Sequence, residues 1–192
     1  MIQSLIVEHS KIHMSNIAQE ILENAAMTAN MTVLYNVFVG KPTETATVEN
    51  INQAVSMLSV NNKLTKEDIK DDIMNAQAIA MVVNKQNKKT IGFGMIRKPN
   101  LEKKIQIFKD ADNEELSSEY IFELDNIVVD REHRGKGVGE YIIQRLIGLR
   151  TGRGTTIYCS TNSQDISRVL KVKCRFENLK DNDEQPFLLG VM

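Results

Sequence analysis

A glycine-rich turn between a β-rich run and an amphipathic run constrains this chain most strongly. Ile127–Val129 predicts the end of a strand, and Gly137–Arg150 predicts a helix whose apolar residues recur at helical spacing. The turn between them is rich in glycine and carries the cations Arg134 and Lys136. A helix N-terminus offers free N–H groups and a favourable dipole to an anion, and glycines let a phosphate approach the backbone. The turn therefore predicts a pyrophosphate site.

Two other phosphate-binding motifs fail on spacing. A P-loop needs a glycine, four further residues and then Gly-Lys-Ser/Thr, whereas Gly135-Lys136 is followed by Gly137 and lacks the upstream glycine. A dinucleotide fingerprint needs a third glycine where Glu140 stands, and it opens a parallel αβ series rather than coming late in a chain. Both motifs are therefore set aside.

The turn resembles the signature of the GNAT superfamily of N-acetyltransferases: Arg or Gln, any two residues, Gly, any residue, then Gly or Ala. Arg134, Gly137 and Gly139 fill these positions. The run Asn126–Val129 is similar to the strand of the ribosomal-protein N-terminal acetyltransferases, and Ile91–Gly94 matches the family's earlier strand pair. The resemblance implies one GNAT domain over residues 1–192. Its α+β (mixed α/β) fold would have a twisted, mostly antiparallel sheet of six to seven strands between helices, with β4 and β5, the strands on either side of the signature helix, splayed apart.

The other elements are predicted from periodicity and turn residues. Ala78–Val83 and Ile91–Ile96 predict a hairpin, and Thr65–Asp68 resembles a helix capping box. Gly92 and Gly94 indicate a close backbone approach or a bulge, while Pro99–Ser118 indicates an insertion or mobile loop with a candidate strand at 105–108. The run 32–39 is ambiguous between strand and buried loop. The remaining predictions are strands at Ile2–Val7, Tyr120–Val129, Thr155–Thr161 and Phe187–Met192 and helices at Met14–Ala25, Val48–Leu58 and Ser163–Lys173.

The resemblance implies acetyl-CoA as cosubstrate and no metal. A backbone N–H near Val128 or Val129 would polarise the thioester carbonyl and stabilise the oxyanion that forms from it. Asn162 has two interpretations, a pantetheine contact or a helix N-cap. The cofactor-binding residues implied in this way are Ile127, Val128, Val129, Arg134, Gly135, Lys136, Gly137, Val138, Gly139 and Asn162.

Glu123 and Asp125 alternate on the strand before the signature, so their side chains share one face. The resemblance implies that an acid on this strand takes the amine proton, with Glu123 the first candidate and Asp125 the second. Solvated carboxylates paired with lysines are the alternative. Lys171 stands where the family has the tyrosine that protonates the thiolate, which passes that role to water, Tyr158 or another group. It also leaves a second hypothesis, a weak or inactive acyl-CoA-binding or protein-interaction module.

Composition limits the partners. The net charge of −1 gives no global attraction for nucleic acid, and no apolar run is long enough to span a membrane. Without a signal peptide, and with Cys159 and Cys174 interpreted as reduced thiols, the chain is expected to be cytoplasmic. The expected partners are acetyl-CoA and an amine acceptor, which is a protein N-terminus, a lysine, an aminoacyl-tRNA or a small amine. A homodimer is left open, and acceptor choice is expected to lie in 28–64 and 99–118.

Overall fold

The computed structural model describes residues 22, 25–29, 31–60, 64–149, 155–179 and 186–191. The strand predicted at Ile2–Val7 and nearly all of the helix predicted at Met14–Ala25 lie outside these residues. The described strands are β1 Tyr35–Gly40, β2 Ala78–Asn84, β3 Thr90–Arg97, β4 Phe122–Val129, β5 Ile157–Thr161, β6 Glu177–Asn178 and β7 Phe187–Val191. The described helices are α1 (residues 25–29 and 31–34), α2 Pro42–Thr45, α3 Val48–Ser59, α4 Lys66–Met74, α5 Leu101–Lys109, α6 Val138–Gly148 and α7 Gln164–Cys174.

The seven strands form one sheet in the order β1-β2-β3-β4-β5-β7-β6. Every neighbouring pair is antiparallel except β4 and β5, which are parallel. The β4–β5 register joins Phe122 to Ile157 and Glu123 to Tyr158, both at the start of β4. The pairing of the two strands ends there, and the space between their unpaired parts is called the V-shaped gap below. The mixed α/β architecture and its splayed parallel pair confirm the predicted fold.

Helices cover both faces of the sheet. On the first face, α6 lies directly over the β2–β3 hairpin because Gly92 and Gly94 have no side chains there. A Cβ at Gly92 would lie 2.7 Å from Ile142 Cδ1, and one at Gly94 would lie 2.7 Å from Ile142 Cγ2. This confirms the predicted close approach. On the second face, α3 and α4 pack over β2 and β3, while α5 packs through Phe108 against Tyr158 of β5.

Local hydrogen bonds explain where several helices begin. The Thr65 hydroxyl accepts from the Asp68 N–H, and the Asp68 carboxylate accepts from the Thr65 N–H, which confirms the predicted capping box at α4. Ser163 caps α7 by accepting from the Ile166 N–H. The N-cap of α7 is therefore Ser163, and the alternative interpretation of Asn162 as that cap is wrong.

The segment Pro99–Ser118 differs from its prediction as a loop with a strand at 105–108. Leu101–Lys109 is a helix, capped by the Asn100 side chain, which accepts from the Lys103 N–H. Its buried face carries Lys104 and Phe108, four residues apart. The Lys104 ammonium donates to the Tyr120 carbonyl, so a charged residue occupies a core position and obscures the apolar period.

The ambiguous run 32–39 divides at Leu34: the residues up to 34 are helical, and β1 starts at Tyr35. Among the described helices, none is both long enough and apolar enough to cross a bilayer.

Candidate active site

A β-bulge divides β4 into two halves. Asp125 pairs with Met95 and Val128 pairs with Phe93, so Asn126 and Ile127 together oppose the single residue Gly94. Asn126 has a φ of 55°, and its N–H donates to the Asp125 carboxylate at 2.7 Å. The extra residue reverses the strict alternation of side chains along the strand. Ile127 therefore packs in the α6-side core rather than on the face that carries Asp125.

The second half of β4 presents backbone groups to the V-shaped gap. The Asp130 N–H donates to the Ile91 carbonyl at 2.8 Å, so the peptide groups of Asp130 face β3. Since successive residues of a strand point their peptide groups to opposite sides, those of Val129 and Ile127 face away from β3 and toward β5. The Val129 carbonyl accepts from Arg134 Nε at 3.1 Å on that side. Val128 has its peptide groups directed to β3.

The turn after β4 is fixed to the β2–β3 hairpin through Asp130. Its carboxylate accepts from the Glu132 N–H at 3.1 Å and from Lys89 Nζ at 2.7 Å. This hydrogen bond lowers the pKa of Asp130 and raises the pKa of Lys89. His133 Nδ1 lies 3.6 Å from the same carboxylate. The contact with Lys89 thus joins the start of the turn to the β2–β3 hairpin.

The glycines shape an open cradle at the N-terminus of α6. Gly135 and Gly137 have φ values of 70° and 78°, which are unfavourable for other residues. A Cβ at Gly135 would meet nothing within 4 Å, so space lies open there, whereas one at Gly137 would lie 3.4 Å from Met27 Sδ. Arg134 and Lys136 are exposed beside it, and α6 begins at the next helical residue, Val138. Free N–H groups, a helix N-terminus and two cations together fit a pyrophosphate.

The acid pair lies on the second face of the sheet, in contact with one arginine. Arg97 Nη2 lies 2.7 Å from Asp125 Oδ2 and 3.1 Å from Glu123 Oε2. Arg97 Nη1 lies 3.1 Å from Asp72 Oδ2 on α4. The Glu123 side chain is 5% exposed, and its Oε2 has no aligned hydrogen-bond donor despite the ion pair. Glu123 and Asp125 therefore belong to a four-residue cluster.

Burial sets the acidity of this cluster. It raises the pKa of the Glu123 carboxyl, and the charge of Asp125 raises that pKa further. Arg97 and, on α5, Lys103 act in the opposite direction. Tyr158, paired with Glu123 across β4 and β5, is buried, and its burial raises the pKa of the phenol. A buried carboxyl with a raised pKa is a suitable proton acceptor at neutral pH.

The structure brings most of the predicted site residues to one place. Ile127–Val129 and Arg134–Gly139 meet where β4 leads into α6, and Glu123 and Asp125 lie just before the bulge in the same strand. Asn162 follows β5, across the gap from β4. Lys171 lies over the Phe187 ring, 5.7 Å from its centroid. Their roles stay predictions.

Sequence reasoning missed two residues of the cluster, Asp72 and Arg97. No motif marks them, because Asp72 is one of several acids in a polar helix and Arg97 ends a strand. The signal that existed was alternation: Arg97 has the same parity as Phe93 and Met95, which face the core under α3 and α4. A cation on this face of the sheet needs anionic partners on the same face. The sequence already predicts that the side chains of Glu123 and Asp125 share a face.

The model of the "Acetyltransferase (GNAT) family" matches residues 48–168. The chain belongs to the GNAT acetyltransferase family. The match covers both the acid cluster and the glycine-rich turn of this GNAT protein. A search of curated proteins finds no sequence match.

Solved structures share the GNAT fold. Mosquito arylalkylamine N-acetyltransferase like 5b matches with 13% identity and a TM-score of 0.55, over 81% of this chain and 98% of its own. Ard1 from Thermoplasma volcanium matches with 12% identity and a TM-score of 0.54, over 81% and 96%. Escherichia coli ElaA matches with 11% identity and a TM-score of 0.54, over 82% and 97%. At these identities the likeness concerns the fold.

Proposed function

We propose that this acetyltransferase moves an acetyl group from acetyl-CoA to a primary amine by direct attack in a ternary complex. The observation that carries the proposal is the arrangement along β4. Backbone donors at Ile127 and Val129 face the gap on one side of the bulge, and a buried carboxyl lies four residues before the first of them. One strand would thus supply both the proposed oxyanion donor and the proposed proton acceptor.

Acetyl-CoA supplies the activated acetyl group as a thioester. The turn at Arg134–Gly139 would hold its pyrophosphate through backbone N–H groups and the charges of Arg134 and Lys136. The edge of β4 that faces the gap would hydrogen-bond the pantetheine arm, and Asn162, which follows β5, would contact it as well. The N–H of Ile127 or Val129 would donate to the thioester carbonyl oxygen as that oxygen gains negative charge. Val128, whose peptide groups are directed to β3, would keep these two neighbours in position.

Glu123 is assigned the amine proton. An α-amino group has an ordinary pKa of about 7.7–8.0 and a lysine about 10.4, so the acceptor must be deprotonated before it attacks. In the reaction Glu123 takes the proton that the ammonium loses before attack, the amine nitrogen bonds to the carbonyl carbon, the carbon–sulfur bond breaks, and the departing thiolate receives the second nitrogen proton through water. Asp125, more exposed at 27%, is the second candidate for the base.

The acceptor is proposed to approach the second face of the sheet, between α4 and α5. Asp72 on α4 pairs with Arg97, and Lys103 on α5 favours ionisation of Glu123, so both helices act on the acid cluster. The proposal therefore places acceptor choice in the α3–α4 segment and in the helical insertion at 99–118.

The test follows thiol release when the pure protein is mixed with acetyl-CoA and a panel of small amines, lysine, amino-terminal peptides and aminoacyl-tRNA. Calorimetry measures coenzyme A binding separately. We expect micromolar-range binding and thiol release with at least one amine. Binding without release for every acceptor would support the inactive-module hypothesis instead, and absence of binding would refute the cofactor assignment.

A further inference from the structure

Arg97 connects three carboxylates that come from two different elements. Its side chain is 16% exposed, and its guanidinium contacts Asp72 on α4 and both Glu123 and Asp125 on β4. The three distances, 3.1, 3.1 and 2.7 Å, are all within ion-pair range. Neither the family signature nor the turn at the cofactor edge involves this residue.

The two guanidinium nitrogens have separate tasks. Nη1 is held by Asp72, and Nη2 lies between the carboxylates of Glu123 and Asp125. Because the guanidinium is planar and rigid, holding one nitrogen fixes the position of the other. Through Asp72, α4 therefore determines where the positive charge lies between the carboxylates of Glu123 and Asp125. A lysine has one mobile ammonium and cannot reproduce this arrangement.

We propose that Arg97 is the positioning residue of the acid pair, which it holds apart and in place so that Glu123 is ionised and ready to accept the amine proton at neutral pH. The inference rests on the proposed function, since it assigns a role to the same site. Arg97 acts through Glu123 and Asp125 and has no contact of its own with the transferred group.

The charges around Glu123 determine what the loss of Arg97 does. Asp125 on its own strand opposes ionisation of Glu123, whereas Arg97 on β3 and Lys103 on α5 favour it. Asp72 pairs with Arg97, and Tyr158 on β5 stays neutral. Without Arg97, Lys103 would be the cation left to favour ionisation of Glu123, while burial and the charge of Asp125 would favour its neutral form. The base would then be ionised only at higher pH.

The experiment is the pH profile of kcat/KM for Arg97→Gln, Arg97→Lys and the matched control Asp71→Asn, an exposed neighbour of Asp72 on α4. Arg97→Gln is expected to move the acidic limb upward by about 1 to 3 pH units, the usual effect of one close opposite charge. Arg97→Lys is expected to move it in the same direction by less, and Asp71→Asn to leave it unchanged. The KM for acetyl-CoA should stay constant in all three.

An acidic limb that stays in place while Arg97→Gln lowers the rate equally at every pH would overturn the proposal, because a purely structural role predicts that result. If Arg97→Gln does not fold, Arg97→Lys decides in the same way. If no amine supports turnover, the proposed function fails, but a ¹³C carboxyl NMR titration of Glu123 in the wild type and Arg97→Lys still tests the inference. An equal midpoint in the two proteins would refute it, and a higher midpoint in the variant would support it.

Discussion

The two halves of β4 carry the two halves of the site by different means. After the bulge, the proposed cofactor half consists of backbone groups and an exposed turn from the contiguous residues 127–139, with Asn162 alone added from beyond β5. Before the bulge, the acceptor half uses buried side chains that α4, β3 and β4 bring together. The first half therefore depends on local backbone geometry, and the second on tertiary packing. A substitution in one half should leave the function of the other half intact.

A large expected effect tests the cofactor half of the site. Gly137→Glu places a side chain at a φ of 78° and a negative charge where the pyrophosphate belongs. We expect acetyl-CoA affinity measured by calorimetry to fall at least about a hundredfold, since both effects add to the loss of a close backbone contact. Gly148→Glu, at the exposed other end of α6, is the matched control. Equal affinities for Gly137→Glu and wild type would move the pyrophosphate elsewhere.

The second prediction tests the acceptor half of the site. Glu123→Gln should lower kcat by about 10²- to 10⁴-fold, the usual contribution of a general base, with coenzyme A affinity unchanged. Single-turnover kinetics and calorimetry measure the two quantities. Full activity in this variant would transfer the base to Asp125, which Asp125→Asn then tests.

The Glu123→Gln variant also tests how Glu123 affects the pH dependence of the free energy of unfolding. Since burial raises the pKa of Glu123 in the folded protein, the cost of ionising it is absent below the ordinary carboxyl pKa and complete above the raised one. Wild-type stability should therefore fall as pH rises through this interval, and Glu123→Gln should lack that fall. Thermal unfolding from pH 4 to pH 8 measures it. Glu119→Gln, which keeps Glu123, is the control and its midpoint should fall as that of wild type does, whereas a Glu123→Gln midpoint that falls as much as that of wild type would contradict this account.

A smaller effect connects the halves through the core. Gly92→Ala would place a Cβ 2.7 Å from Ile142 Cδ1 and 2.8 Å from Val138 Cγ1, at the tips of two side chains. Because such tips can shift, we expect a loss of about 1–3 kcal/mol in urea unfolding rather than failure to fold. Val138 begins α6, so the KM for acetyl-CoA should rise too. Gly148→Ala meets no neighbour and should leave both quantities close to wild type.

The smallest effect concerns the support of the turn. Lys89→Ala removes the 2.7 Å contact with Asp130, but the Lys89 side chain is 54% exposed. An exposed ion pair contributes about 0.2–1 kcal/mol, so the KM for acetyl-CoA should rise by no more than about fivefold, with kcat unchanged. High salt should remove the difference between variant and wild type. Lys88→Ala is the control, and an equal rise there would assign the effect to general charge.

The two halves also differ in how far sequence predicts them. The turn at Arg134–Gly139 is a contiguous pattern of glycines and cations, so spacing and resemblance were enough to place it between a strand and a helix. The ion pair of Asp72 and Arg97 joins residues 25 positions apart, and no local pattern reports such a contact. The helix α5 was missed for a related reason: the partner of Lys104 is the Tyr120 carbonyl, 16 residues further along the chain.

The bulge at Asn126 has a consequence for how this strand can vary. In an uninterrupted strand, odd and even positions belong to opposite sides, and any inserted or deleted residue exchanges them for everything that follows. Here the bulge at Asn126 already shifts the alternation by one residue, so odd positions before it and even positions after it lie on the same face of the sheet. Exchange of Glu123 leaves the bulge in place, whereas exchange of Asp125 removes the hydrogen bond that its carboxylate accepts from the Asn126 N–H. In the proposed function, change at 123 would therefore alter the acceptor side of the strand and leave the groups that face the gap as they are.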